Sequence, residues 1–129
     1  MDSKPVRRKA CSELKPIALN SQLLTLNSQL FKMIIRIVKM TFQPDEVANF
    51  LNIFNGSRQF IRSKEGCIHL ELLNDINASN IFFTYSHWNS ETDLNNYRKS
   101  ELFENVWGKT KVLFAAKAEA WSVISMTNP

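Results

Sequence analysis

The stretch FFTYSHWNSETDLNNYRKSELF, from Phe82 to Phe103, decides how this chain of 129 residues can fold. Its first part is rich in aromatic residues and is typical of a strand that ends at Trp88. A helix is predicted to begin at Ser90, because Asp93 three residues later makes an approximate capping box. Tyr97 then lies on the apolar side of that helix. Trp88 and Tyr97 either fill the core or line a pocket for a flat aromatic ligand.

The segment MIIRIVKMTF, residues 33–42, precedes this stretch and is rich in β-branched side chains. Its apolar residues fall on both parities of the chain, which predicts a strand that is covered on both faces. Pro44 suits the first turn of a following helix. That helix is predicted to bury one stripe, whose members recur at spacings of three and four: Val47, Phe50, Leu51, Phe54, Arg58 and Ile61.

Three more segments read as strands. The second strand is CIHLELLND (67–75), and the loop INASN suits a hairpin that leads to a third strand, IFFTYSHW (81–88). The fourth strand is AKAEAWSVISM (116–126). Together with the two helices, these strands predict an α+β fold of the ferredoxin-like type, β-α-β-β-α-β, with an antiparallel four-stranded sheet.

The helix that begins at Ser90 is predicted to bend near Ser100. Its apolar side is formed by Leu94, Tyr97, Leu102, Phe103, Val106 and Trp107. In a ferredoxin-like fold the helices cover only one face of the sheet, whereas the first strand is predicted to be covered on both. The other face is therefore predicted to meet a second sheet, and a face-to-face homodimer is the simplest arrangement.

The net charge of +4 lies in the first 32 residues, which hold six basic and two acidic side chains. Residues 33–129 hold ten of each sign, so no basic face is expected to follow a phosphate backbone. We expect residues 1–32 to be a basic N-terminal extension, either flexible or forming a short helix through its repeated LNSQL motif, and residues 33–129 to be the folded domain. Nucleic acid is not an expected partner.

Polar residues interrupt every apolar run of the extension, and no window of about 18 apolar residues occurs in the chain. We therefore expect a cytoplasmic protein with no membrane partner. The two cysteines, Cys11 and Cys67, make a poor disulfide framework, which agrees with a reducing compartment. Cys67 and His69 share one face of a regular strand and could form a metal site with His87, but zinc sites have more ligands at firmer spacing. No metal site is expected.

Two segments carry a resemblance to a known family: KEGCIHLELLND (64–75) and FFTYSHWNSETDLNNYRKSELF (82–103). They resemble the antibiotic biosynthesis monooxygenase family, which has a glycine before the second strand, an acidic residue at its end, and a strand-end tryptophan before a Ser-Glu helix start. The matching residues are Gly66, Asp75, Trp88, Ser90, Glu91, Ser100 and Phe103. The resemblance extends over residues 33–126. It implies a dimeric α+β barrel, in which each protomer keeps a pocket between its sheet and its helices.

The resemblance implies oxygenation of a quinol or a polycyclic phenol without metal or flavin. An electron-rich phenolate can itself pass an electron to O₂, so the protein has to bind the phenol, favour its anion and exclude water. No cofactor is implied, and no Gly-rich dinucleotide loop or paired Cys or His ligand motif is visible in the chain. The implied partners are a small aromatic substrate, O₂ and a second copy of the chain.

Five residues are candidates for the site that the resemblance implies. Tyr97 is expected to be catalytic, as hydrogen-bond donor or acid/base, and Lys39 is expected to stabilise an anion. Trp107, Phe103 and Trp88 are expected to bind the substrate with their aromatic faces. An alternative stays open for each residue, because the aromatic side chains can pack in the core and Lys39 can extend its ammonium to an edge of the sheet.

Three polar positions of the family are different in this chain. Family members commonly have histidine where Tyr97 and Leu102 stand, and glutamate where Ser86 stands. Haem-degrading relatives use an Asn, a Trp and a His at the positions of Lys39, Tyr97 and Trp107, so no axial haem ligand is expected. These differences leave a second hypothesis open: a non-oxygenase member that binds, or isomerises, a small signalling molecule in the same pocket.

Overall fold

A computed structural model describes residues 32–127, so the expected N-terminal extension lies outside the described residues except for Lys32. The elements in chain order are β1 (Ile34–Thr41), a 3₁₀ turn (Pro44–Glu46), α1 (Val47–Arg62), β2 (Cys67–Asn74), β3 (Ile81–Trp88), α2 (Glu91–Arg98), α3 (Glu101–Lys111) and β4 (Glu119–Val123). This order confirms the predicted succession of elements. Within the described range, no helix is both long and apolar enough to cross a membrane.

The four strands form one antiparallel sheet in the order β2-β3-β1-β4. β1 lies inside the sheet, where Ile37 stands opposite Tyr85 of β3 and opposite Trp121 of β4. β2 and β3 are joined as a hairpin, whereas the two connections through helices, from β1 to β2 and from β3 to β4, each join strands that are not neighbours in the sheet. The ferredoxin-like α+β fold is therefore confirmed. β4 is shorter than the predicted segment 116–126, and it is an edge strand that pairs only with β1.

The larger core cluster lies between α1 and one face of the sheet. Phe42 is fully buried and stacks on Phe50 of α1, with ring centroids 4.1 Å apart. Phe54 and Ile61 continue the buried side of α1, as the spacing of the stripe predicted. Arg58, which shares that spacing, is exposed. These contacts hold α1 against the sheet.

Two serine residues cap the N-termini of the two helices that follow β3. The Oγ of Ser90 accepts a hydrogen bond from the backbone N–H of Asp93 at 3.1 Å and begins α2. The Oγ of Ser100 accepts one from the backbone N–H of Phe103 at 3.2 Å and begins α3. Each cap satisfies an N–H group that has no partner inside its helix. The predicted bend near Ser100 is therefore a break between two separately capped helices.

An irregularity in β2 changes the face on which its first residues lie. Cys67 pairs with Trp88 and His69 pairs with His87, so the register shifts between Cys67 and His69. Cys67 is buried in the cluster that contains Trp88, whereas His69 is exposed on the opposite face. The expectation that Cys67 and His69 share one face is wrong, because a bulge adds one residue to the alternation of the strand.

The sheet face opposite to the helices is called the open face here. Its side chains come from all four strands: Ile35, Ile37, Lys39, His69, Glu71, Leu73, Phe83, Tyr85, His87, Glu119, Trp121 and Val123. Much of this face is apolar, and Trp121 is 44% exposed. In the part of the chain that the structure describes, no helix packs on it. The predicted homodimer would cover this face and stays a prediction.

Candidate functional site

A cavity of about 320 Å³ lies between the helix side of the sheet and the helices. Strands β1 and β3 form its floor through the side chains that point towards the helices, and α1, α2 and α3 all contribute to its walls. Most of the lining side chains are apolar. Pockets for small molecules usually measure about 300–1,000 Å³, so this cavity lies at the small end of that range.

Four aromatic side chains form a continuous row along the cavity. Trp88 stacks on Tyr97 at 5.0 Å between ring centroids, and Tyr97 meets Phe103 edge to face at 5.3 Å. Phe103 in turn stacks on Trp107 at 5.9 Å, because residues four apart lie on one side of α3. All four side chains line the cavity. The structure therefore brings together four of the five residues that were predicted for the site.

Trp88 is both a core residue and part of the cavity lining. Its side chain is only 1% exposed and packs in a cluster with Ile34, Cys67 and Leu94. The indole Nε1–H donates a hydrogen bond to the Oγ of Ser86 at 3.0 Å. The buried N–H is therefore satisfied inside the protein, and the tryptophan faces the cavity through its ring.

Tyr97 combines burial with a polar group at the cavity. Burial of its ring, together with the nearby Cys67 thiol, raises the pKa of Tyr97 far above its ordinary value. The phenol therefore stays protonated at neutral pH and can donate a hydrogen bond. No hydrogen bond between residues of the described range uses this hydroxyl.

Lys39, the fifth predicted residue, does not reach this cavity. Side chains of β1 alternate between the two faces of the sheet, and the cavity is lined by Arg36, Val38 and Met40. Lys39 has the opposite parity and lies on the open face with Ile37. The structure does not bring Lys39 together with Tyr97, because the face of β1 that the helices cover is the other one.

The cavity contains a cation that was not predicted from the sequence. Arg36 is half-buried among apolar residues of β1, and its Nη1 donates a hydrogen bond to the Oγ of Ser122 on β4 at 2.9 Å. On the neighbouring strand β3, its partner in the register is the buried Ser86. In the sequence, Arg36 is the one charged residue that alternates with Ile34, Val38 and Met40. It could not be identified from this pattern, because the other face of β1 also combines apolar residues with one charge.

A second cation, Arg98, lines the same cavity from the last turn of α2. Burial, and next the positive charge of Arg98, lower the pKa of Arg36 below its ordinary value. Among residues 32–127, the remaining polar side chains of the lining are Thr84, Ser86, Tyr97 and Thr110, and none of these lining residues is an aspartate, glutamate or histidine. The electrostatics of the cavity therefore favour an anionic ligand.

The histidines and the described cysteine do not form a metal site. Within residues 32–127, no group of three or more His, Cys, Asp or Glu side chains is placed to hold a metal ion. His69 and His87 lie on the open face with ring centroids 5.2 Å apart, and His69 Nε2 lies 3.0 Å from an Oε1 of Glu71. Cys67 lies on the other side of the sheet from both of them.

A comparison with models of protein families found a match to this chain. The model of the family described as antibiotic biosynthesis monooxygenase matches residues 33–107, which is more than half of the chain. The match includes β1 and continues to Trp107, so it contains all five of the residues that were predicted for the site. A comparison of the sequence with curated proteins found no significant match.

Several solved structures share the fold at low sequence identity. A protein from Caulobacter crescentus CB15 named as a candidate antibiotic biosynthesis monooxygenase is 14% identical with a TM-score of 0.72, over 81% of this chain and 99% of its own. A conserved protein from Methanosarcina mazei Go1 is 18% identical with a TM-score of 0.70, over 76% and 97%. Rv0793 from Mycobacterium tuberculosis is 13% identical with a TM-score of 0.70, over 75% and 98%. At these identities the likeness is one of fold.

Proposed function

The chain belongs to the antibiotic biosynthesis monooxygenase family, and we propose that it oxidises a quinol or polycyclic phenolic small molecule with O₂, as a cytoplasmic homodimer and without a cofactor. One observation carries this proposal: a largely apolar cavity in which a row of stacked aromatic rings includes a protonated tyrosine. Aromatic rings and apolar walls bind a flat ring system and exclude water from it. A phenol bound there is held in a setting that suits reaction with O₂.

The reaction that fits this site needs no external reductant. A hydroquinone that takes up one O₂ forms a hydroxyquinone and one water: one oxygen atom enters the ring, the other leaves as water, and the ring supplies all the electrons. The substrate anion gives the first electron to O₂, and the two radicals combine at a ring carbon. Loss of the ring proton and cleavage of the O–O bond then release water. Each proton and electron is accounted for within the substrate and O₂.

The lining residues have separate roles in this proposal. Tyr97, kept neutral by burial, donates a hydrogen bond to the substrate oxygen or to the oxygen that leaves as water. Trp107, Phe103 and Trp88 form the aromatic surface on which the substrate ring lies. Lys39 does not line the cavity, so the anion-stabilising role expected of it has no place in this proposal.

The size of the cavity favours a small substrate within this class. An engineered protein cavity of about 150 Å³ binds benzene, so a cavity roughly twice that volume has room for about two fused rings. The cavity in this chain measures about 320 Å³. We therefore propose a monocyclic or bicyclic quinol in preference to a larger polycyclic phenol.

The homodimer is proposed from the open face. Ile35, Ile37, Tyr85 and Trp121 lie together on it, and no helix of the described range covers them. Pairing of two such faces would bury these side chains in a common core. The cavity lies on the other side of the sheet, so each protomer would keep its own site.

A second function is favoured by the absence of a base from the cavity lining. In the described part of the chain, the residues that line the cavity include no histidine, aspartate or glutamate, so these residues offer no group to take the proton of a phenol that is not already acidic. A family member that binds a small aromatic molecule, without oxygenating it, is consistent with this lining. This second candidate uses the same cavity.

Oxygen consumption separates the two functions. We propose to follow O₂ uptake with a panel of hydroquinones and naphthalenediols, in buffer containing a chelator and no flavin, and to identify the product by mass. Incorporation of one ¹⁸O atom from ¹⁸O₂ supports the monooxygenase. Tight binding of the same compounds without O₂ uptake above the spontaneous rate supports the binding protein instead.

A further inference from the structure

One end of the cavity is cationic in a way that the proposed oxygenation does not require. Arg36 rises from the floor of the cavity between Ser86 of β3 and Ser122 of β4. Within the described range, the guanidinium group of Arg36 has one side-chain hydrogen-bond partner, the Oγ of Ser122 at 2.9 Å. A guanidinium has five N–H donors, so most of them can serve a ligand.

Arg98 adds a second positive charge at the same place. It lies in the last turn of α2, is exposed, and lines the cavity together with Arg36. The two guanidinium groups are close enough that the charge of Arg98 disfavours the charged form of Arg36. A cation in the last turn of a helix also interacts well with the helix dipole, and that effect explains Arg98 but not Arg36.

The described residues provide no acidic side chain for this pair. Between residues 32 and 127, no carboxylate lines the cavity and no ion pair includes Arg36 or Arg98. Two like charges that converge on a partly desolvated site repel each other, and a bound anion relieves this repulsion. The arrangement therefore has the character of a binding site for an anionic group.

We propose that the ligand of this cavity is a hydroxyaryl carboxylate, whose carboxylate is held by Arg36 and Arg98 while its phenolic ring lies along the row formed by Tyr97, Phe103 and Trp107. The inference rests on the proposed function only in taking this cavity as the ligand site. It adds a substrate class, because it requires an acid group on the aromatic ring in addition to the phenol.

A carboxylate fits the pair better than a phenolate alone. The two oxygens of a carboxylate accept parallel hydrogen bonds from a guanidinium fork, whereas a phenolate offers a single oxygen. A hydroxyaryl carboxylate whose phenol ionises has a charge of minus two, which balances two guanidinium groups. The carboxylate anchors the ring at the Arg36 end of the cavity and leaves the phenol among the aromatic side chains.

Binding of three matched probes without O₂ tests this proposal. The probes are 1,4-dihydroxy-2-naphthoate, the same ring without its acid (1,4-naphthalenediol), and the acid without its phenols (2-naphthoate), titrated by calorimetry under nitrogen. We expect the dihydroxynaphthoate to bind roughly tenfold or more tightly than the diol, because charged hydrogen bonds are each stronger than neutral ones. Added salt should weaken binding of the two acids more than binding of the diol.

The matched variants are Arg36→Gln and Arg98→Gln, with Lys99→Gln as the control. Lys99 is the exposed neighbour of Arg98 at the end of α2 and does not line the cavity. We expect each arginine variant to lose most of the preference for the acid while its affinity for the diol changes little, and Lys99→Gln to keep the parent preference. Because Arg98 is exposed, Arg98→Gln should fold even if Arg36→Gln does not, and melting temperatures check both.

The inference would be overturned by equal affinity of the parent for the dihydroxynaphthoate and the diol, or by loss of affinity for both ligands to the same extent in Arg98→Gln at unchanged melting temperature. Arginine-dependent binding of the diol without binding of 2-naphthoate would assign the pair to the phenolate and would also overturn it. O₂ uptake tests the other proposal separately. An acid preference without uptake sustains this inference and removes the oxygenase, whereas uptake with the diol and no acid preference does the reverse.

Discussion

The phenol ring of Tyr97 lies stacked on the indole of Trp88, with ring centroids 5.0 Å apart and ring planes inclined by 20°. β3 and α2, which supply these two residues, are separated only by the short turn that Ser90 caps. The tryptophan is the more deeply buried of the pair, and the tyrosine carries the polar group. The same contact therefore joins a residue that supports the fold to one that can act on a ligand.

Replacement of Trp88 by alanine should chiefly cost stability. The side chain is 1% exposed, and its removal leaves a cavity and the unused hydroxyl of Ser86. We expect the free energy of unfolding to fall by about 3 to 5 kcal/mol, as for other large-to-small changes in cores. Urea denaturation followed by circular dichroism measures this loss. A variant that keeps its stability but no longer binds ligand would contradict the structural role and leave Trp88 only its role in binding.

Replacement of Tyr97 by phenylalanine should leave the fold nearly intact. The ring and its stacking on Trp88 are kept, and only the hydroxyl is removed. We expect turnover of an active quinol, or ligand affinity, to fall by roughly tenfold or more if the hydroxyl contacts the reacting oxygen. The matched control is Tyr85→Phe, which removes the other tyrosine hydroxyl of the chain from the open face. If Tyr97→Phe has the same activity as the parent, Tyr97 has only a packing role in the core.

Gly66 should not tolerate a side chain. Its φ of +85° lies in the left-handed region, and a Cβ built there would overlap the carboxyl group of Asp93. We expect Gly66→Ala to lower the free energy of unfolding by more than about 1 kcal/mol. Gly56→Ala is the control, since no atom lies within 4 Å of its Cβ position inside α1, and it should stabilise the protein by up to about 1 kcal/mol. Equal effects of the two changes would contradict this explanation.

A charge at the centre of the open face should prevent association. Ile37 lies on β1 between Tyr85 and Trp121, so an aspartate at this position would be buried in the proposed dimer interface. We expect Ile37→Asp to be a monomer in sedimentation velocity at micromolar concentration, where the parent is a dimer. Phe60→Asp, on the outer side of α1 where Phe60 is 63% exposed, should sediment like the parent. A parent protein that sediments as a monomer would remove the dimer proposal.

Stability should decrease below neutral pH through His87. Burial, and next the charge of His69, lower the pKa of His87, while Glu71 acts in the opposite direction. The rings of Tyr85 and His87 have their centroids 5.0 Å apart. The unfolded chain therefore binds a proton more readily, from about pH 6.5 downwards. The contribution of neutral His87 to the free energy of unfolding is fully present above that pH, and it is lost as the pH falls towards the lower pKa of His87 in the folded state.

Urea midpoints between pH 7.5 and 5.5 measure this effect. We expect the decrease with falling pH to be smaller in His87→Gln than in the parent. His69→Gln should keep most of the decrease, because burial is the main cause of the shift at His87. An identical pH dependence of the parent and His87→Gln would exclude His87 as the titrating group.

The sequence by itself determined the features that depend on neighbouring residues. The order of strands and helices follows from local alternation and from spacings of three and four, and the two helix starts follow from Ser90 and Ser100, whose hydroxyls bond to groups three residues away. The aromatic row was also predictable in part, because Phe103 and Trp107 share one side of a helix and Tyr97 lies on the apolar side of the helix before it.

Only the tertiary structure decided which face of β1 the helices cover. Both parities of that strand are apolar and each contains one cation, so its local pattern is equally consistent with Arg36 or Lys39 in the cavity. The bulge between Cys67 and His69 was hidden for the same reason, since one extra residue reverses the faces without changing the composition. The choice of face is made by packing between elements that are distant in sequence, and it is this packing that places Arg36 in the cavity and Lys39 outside it.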